Sequence, residues 1–161
     1  VIFHTAGRYA LDDNMFYKPE DVPNAKHLLS LGHQRAEQLK AGKHPWTKET
    51  GLVIRGYKSS LDDSVIPYGL DIPPEFSQKI HKNKRLDIWL HGRNNTLSEI
   101  RFLTERLKKT SQFRPQNTIV LHPYGRFCNA YKFAGEKDVM ESLHHVKSQY
   151  SIDSSRFSTG S

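Results

Sequence analysis

Two short apolar runs, Leu86-Asp87-Ile88-Trp89-Leu90 and Asn117-Thr118-Ile119-Val120-Leu121-His122, constrain the fold of this chain more than any other feature. Near-continuous apolar character over five or six residues reads as a strand covered on both faces. Between the two runs, Thr96-Leu97-Ser98-Glu99 has the form of a capping box. The Thr96 hydroxyl can take an unpaired N–H and Glu99 can reach back, starting a helix whose apolar face is Ile100, Leu103 and Leu107. A second helical pattern runs from about Glu136 to Gln149, with Val139, Met140, Leu143 and Val146 on one side. Strand, helix, strand, helix specifies an α/β architecture: a mostly parallel sheet flanked by helices, with right-handed crossovers.

The preceding sequence divides at about residue 50. Residues 1–50 read as a helical N-terminal segment. Ile2, Phe3, Ala6, Tyr9 and Ala10 mark a short helix, and Tyr17-Lys18-Pro19-Glu20-Asp21 separates it from a longer one. That second helix carries Ala25, Leu28, Leu29, Gly32, Ala36 and Leu39, and Gly42 is placed to end it. Trp46, between Pro45 and Thr47, is expected to cover apolar surface. From Gly51 the texture becomes β-branched. Gly51–Tyr57 and Val65–Ile72 read as two strands joined through Leu61-Asp62-Asp63-Ser64, and their proline and glycine content suits a sheet edge. Residues 51–161 are thus expected to form an incomplete α/β domain.

In an open sheet with parallel strands, ligands bind outside the carboxyl ends of the strands. The loops to read are therefore His91-Gly92-Arg93-Asn94-Asn95 and the long stretch from His122 to Gly135. A loop of that length, rich in aromatics and glycine, is more readily a binding loop than a spacer. Tyr124, Arg126, Asn129 and Tyr131 are its candidate substrate contacts. Glu136 and Asp138 fall in the first turn of a helix, where the helix dipole alone favours acidic residues by ~0.3–1 kcal/mol each. His91 is read as a loop anchor and His122 as structural. His144-His145 lacks acidic or cysteine partners at ligand spacing, so no metal is expected there.

Four stretches together resemble the N-terminal half of an α/β-hydrolase of the prolyl-oligopeptidase-like or esterase-like kind. They are Leu86–Gly92, the Asn117–Gly125 strand and turn, Gly135–Val139, and Val146–Arg156 with its Ile152-Asp153 pair. Tyr57–Leu70, around Leu61-Asp62-Asp63-Ser64, resembles the strand pair that precedes it in bacterial members. The resemblance covers about the last two-thirds of the chain. It implies a serine hydrolase acting on a peptide or an ester through a Ser-Asp-His triad, with no metal or organic cofactor. His91-Gly92-Arg93 matches the oxyanion-loop position, so the backbone N–H groups of Gly92 and Arg93 become the expected oxyanion donors. In such hydrolases a short apolar strand and then Gly-x-Ser-x-Gly follow the basic residue. Here Arg156-Phe157-Ser158-Thr159-Gly160-Ser161 is too polar and too short, and the serine arrives about two positions early. Ser161 is therefore not assigned as the nucleophile. The triad is expected beyond Ser161, and the 161 residues alone are expected to be inert.

Composition limits the alternatives. At 36% hydrophobic and 25% charged, the chain has a globular composition. It holds no run of ~18 apolar residues and no visible signal peptide; any signal is expected outside the segment, with a periplasmic or secreted parent. Cys128 is the only cysteine, which excludes an internal disulfide. The net charge of +7 is spread along the chain, clustering only at Lys79–Arg85 and Arg106–Lys109, and no nucleic-acid-binding pattern accompanies it. The second reading from another class is a non-catalytic α/β interaction module that binds acidic partners through its basic surface.

Overall fold

A computed structural model describes residues 1–77 and 84–160. Its element order is α1 (Ile2–Asp12), α2 (Asp21–Lys40), β1 (Gly51–Lys58), β2 (Val65–Ile72), β3 (Lys84–Trp89), α3 (Glu99–Lys108), β4 (Thr118–Pro123), α4 (Ala134–Gln149) and β5 (Ile152–Gly160). The strands form one sheet in the order β1-β2-β4-β3-β5. β1 pairs antiparallel with β2, and β2 antiparallel with β4, whereas β3 pairs parallel with both β4 and β5. The fold is thus mixed α/β with helices on the sheet. The mostly parallel sheet expected from the sequence is confined to β4, β3 and β5, since β2 runs against both of its neighbours.

The two faces of the sheet follow from side-chain alternation. Gly56 lies against Ile2 of α1, and Gly69, which pairs with Ile54, lies against Arg106 of α3. On the other face, the Tyr57 hydroxyl donates to the Asp138 carboxylate of α4 at 2.5 Å, and the Tyr68 hydroxyl is bonded to His145 of α4 at 2.8 Å. The helices α1, α2 and α3 therefore cover one face and α4 the other. This two-sided cover explains why all six residues of β4 are buried. The helical N-terminal segment shares the sheet's core, to which it contributes Ile2, Phe3, Ala6, Ala10, Ala25 and Leu28. Asp21 fastens it: the fully buried carboxylate accepts the amides of Tyr17 and Lys18, each at 2.9 Å, and lies 3.8 Å from Arg101 of α3.

Three local expectations need correction. The N-cap of α3 is Ser98, whose hydroxyl accepts the Arg101 amide at 3.4 Å. Thr96 is instead held by Asn94 and by the Arg101 guanidinium. β2 is an interior strand, not an edge; Pro67 is tolerated because the β2–β4 ladder begins only at Tyr68. The polar stretch Ile152–Gly160 is a strand, with Trp89 facing Gly160 across the β3–β5 ladder. Most of the Lys79–Arg85 basic cluster, and Ser161, lie outside the described residues. No helix among the described residues is long and apolar enough to cross a membrane.

Candidate functional site

β3 and β4 end side by side, and the loops that leave them enclose a cavity of about 560 Å³. That volume suits a small organic ligand. One wall is Leu90, His91, Gly92, Arg93 and Asn95; the other is the stretch Phe127–Lys132. Because α3 carries the chain from β3 to β4 over one face while α4 returns it over the other, past β3, to β5, the cavity sits where the winding direction reverses.

Several bonds tie the walls together. The Tyr131 hydroxyl accepts the His91 amide at 3.0 Å and reaches the Pro123 carbonyl oxygen at 3.4 Å. The Cys128 thiol donates to Asn95 Oδ1 at 3.3 Å. His91 places Nε2 2.9 Å from the Tyr124 carbonyl oxygen and Nδ1 3.0 Å from that of Gly92. With both ring nitrogens facing acceptors, His91 holds the loop and is not poised to take a proton from a substrate. The amides of Gly92 and Arg93 have no partner among the described residues. A Cβ on Gly92 would meet nothing within 4 Å, and its φ is not positive. Glycine is thus not demanded there by the turn; its effect is to leave the space beside these amides open.

The second wall is built from unusual backbone. Arg126, Phe127, Ala130, Tyr131 and Phe133 all have φ between 50° and 72°, and Gly125 has φ 70°. Non-glycine residues in this region cost ~1–2 kcal/mol each and persist only where the surroundings hold them. Asp138 is one such hold: it is buried and accepts the Gly125 amide at 3.0 Å while Arg126 Nε lies 3.5 Å away. Burial pushes the Asp138 carboxyl above its ordinary range, opposed by the Tyr57 hydroxyl bond and by Arg126. Its neighbour Glu99 is buried too and is pushed up to about 8, first by desolvation and then by the Asp138 charge, with Arg126 acting against both.

Of the residues expected to contact substrate, Asn129 and Tyr131 line the cavity. Burial pushes the Tyr131 phenol above its usual range, so it stays neutral. Tyr124 and Arg126 do not line it. The Tyr124 side chain is buried and its hydroxyl donates to the Leu97 carbonyl oxygen at 3.2 Å. Arg126 points away to the β1–β2 turn, donating to Asp62 at 2.6 Å and to Ser59 at 2.8 Å. Lys132 and Phe127 are cavity residues that the sequence did not single out; nothing in their spacing distinguishes them from the rest of the loop.

A serine–histidine contact does occur, between Ser111 Oγ and His122 Nε2 at 2.7 Å, but its polarity is reversed. The Arg106 guanidinium can only donate, so His122 Nδ1, 3.0 Å away, must be the acceptor. Nε2 then carries the hydrogen and donates it to Ser111, which is the opposite of what a general base does. Desolvation, with the Arg106 charge adding to it, lowers the His122 imidazole to about 3, so it stays neutral in this role. This pair braces α3 and the loop after it against β4. No protein family, curated protein or solved structure matches the chain at a significant level.

Proposed function

We propose that residues 1–161 are the N-terminal part of a serine hydrolase of the α/β-hydrolase type, a peptidase or a carboxylesterase, in which the Gly92 and Arg93 amides stabilise the oxyanion. The observation that carries this reading is the pair of unbonded amides on the rim of a cavity at the carboxyl ends of β3 and β4. In acyl transfer the negative charge develops on the former carbonyl oxygen, and each fixed donor aimed at it lowers the barrier by ~3 kcal/mol. The Ser-Asp-His triad of this reading lies beyond Ser161. β5 ends against the same loop, with the Gly160 carbonyl oxygen accepting the Leu90 amide at 2.9 Å, so a nucleophile shortly after Gly160 enters beside the donors.

Fluorophosphonate labelling of the intact gene product tests this directly, with the modified residue mapped by mass spectrometry. The expected result is a single labelled serine shortly after Ser161. Absence of labelling in folded protein removes the hydrolase reading and favours a non-catalytic module.

A further inference from the structure

β1 forms one edge of the sheet, and a second cavity of about 540 Å³ lies along it, sharing no lining residue with the first. Its walls include Phe3, Arg35, Leu39, Trp46, Arg55 and Val65. The Arg35 guanidinium lies between two rings, 5.1 Å from the centre of Phe3 and 5.2 Å from that of Trp46, and donates to the Ile54 carbonyl oxygen at 3.0 Å. Arg55 is 7% exposed; one of its terminal nitrogens donates to the carbonyl oxygens of Trp46 and Thr47 at 3.2 and 2.7 Å. Its Nε is buried without a hydrogen-bond partner.

Guanidiniums withdrawn from water are ordinarily paired with carboxylates, because an uncompensated buried charge is expensive. Arg55 is buried and Arg35 half-buried, and neither has a carboxylate within ion-pair distance among the described residues. Burial makes Arg35 easier to deprotonate, Glu49 counteracts this from a distance, and the like charge of Arg55 adds to it. The other titratable side chains on this wall are already engaged: Lys58 with Asp63 at 2.8 Å, His145 with the Tyr68 hydroxyl at 2.8 Å, and Tyr57 with Asp138 at 2.5 Å. Among the described residues, no Asp or Glu lines the cavity. The carbonyl bonds, and for Arg55 the Tyr150 ring 5.1 Å from its guanidinium, explain how each arginine is held, but among the described residues no carboxylate pairs with either charge, Glu49 acting on Arg35 only from a distance.

We infer that this edge cavity binds a small apolar carboxylate, the carboxyl group bridging Arg35 and Arg55 and the apolar body lying against Leu39, Trp46 and Val65. A planar fork such as guanidinium meets a carboxylate with two parallel bonds, which gives the site its selectivity for that group. The site is independent of the hydrolase reading and stands or falls separately from it.

Titration of the intact protein with 2-naphthoate, followed by tryptophan fluorescence and calorimetry, tests the inference, with 2-naphthamide as the neutral analogue of the same shape. The expected result is saturable binding of the acid, at least about tenfold weaker binding of the amide, and weakening of the acid alone at high salt. Arg35→Gln is expected to weaken the acid about tenfold, while Lys132→Gln, in the other cavity, leaves it unchanged. Equal affinity for acid and amide, no saturable binding, or an unaltered affinity in folded Arg35→Gln each overturns the proposal. Should Arg35→Gln fail to fold, the comparison of acid with amide in the unmodified protein decides alone.

Discussion

The phenol of Tyr131 stands between the ends of two neighbouring strands, its oxygen 3.0 Å from the His91 amide nitrogen and 3.4 Å from the Pro123 carbonyl oxygen. Removing that oxygen leaves the His91 N–H without its partner while the ring still fills its place. Tyr131→Phe is therefore expected to cost about 1–2 kcal/mol in urea unfolding. In the hydrolase reading it also slows fluorophosphonate labelling, since the neighbouring Gly92 and Arg93 amides lose their anchor. An unchanged urea midpoint would show that this bond does not hold the loop.

Gly125 and Gly92 flank the same cavity and are expected to respond oppositely to a methyl group. At Gly125, φ is 70° and an added Cβ would lie 2.5 Å from the Tyr131 ring, so Gly125→Ala meets both backbone strain and a clash. A loss of at least ~2 kcal/mol is expected. At Gly92 the backbone is ordinary and the space is empty. Gly92→Ala should stay within ~0.5 kcal/mol of the parent and, in the hydrolase reading, slow labelling, because the methyl group occupies the space beside the proposed donors. Thermal melts of the two variants side by side check the contrast, and equal losses would contradict it.

The elements that could be read from the sequence are those whose periodicity reports burial. β4 is apolar because both of its faces are covered; α4 starts at Ala134, close to the expected Glu136, but the side it buries is Gly135, Asp138, Ser142 and Val146 while Met140 is half exposed, so its helical period was legible and its sheet-facing side was not. β5 escaped notice because its pairing with β3 is a main-chain matter that a run of Ser and Thr does not advertise. The helix start moved from Thr96 to Ser98 because two hydroxyls two residues apart compete for one cap, and Asn94 with Arg101 claims Thr96. The loop after β3 was legible as a candidate, and it does wall a cavity, because apolar strand followed by His-Gly is a local pattern. The destination of Arg126 was not, since Asp62 lies 64 residues away in the sequence.

His122 makes the stability of the fold fall in acid. Its folded value is lowered to about 3 from the ordinary 6.5, so below pH 6.5 the unfolded chain takes up a proton that the folded chain refuses. The sign follows: this contribution is fully present above pH 6.5 and is lost as the pH drops toward 3, at up to about 1.4 kcal/mol per pH unit. His122→Gln lowers stability at neutral pH, through the Ser111 and Arg106 bonds it disturbs, but removes this slope. Urea unfolding at pH 7 and pH 5 should show the variant losing less than the parent between the two; parallel losses would mean that His122 charges freely in the fold.

Glu99 acts in the opposite direction. Its carboxyl is buried beside Asp138, one oxygen has no partner, and its folded value is raised to about 8 from 4.5. Between pH 4.5 and 8 the unfolded chain releases a proton that the folded chain retains, so this contribution is fully present below pH 4.5 and is lost as the pH rises, at up to about 1.4 kcal/mol per unit. Glu99→Gln keeps the shape and drops the titration. It is expected to leave stability near pH 5 within about 1 kcal/mol of the parent, and to raise it above pH 8 by about 2 kcal/mol or more. Because Arg126 offsets part of the Asp138 charge, adding Arg126→Gln to the parent should steepen the alkaline loss, whereas adding it to Glu99→Gln should not. Melting curves across pH 5 to 9 for the three variants and the parent provide the check, and identical pH profiles for Glu99→Gln and the parent would place this carboxyl in contact with water.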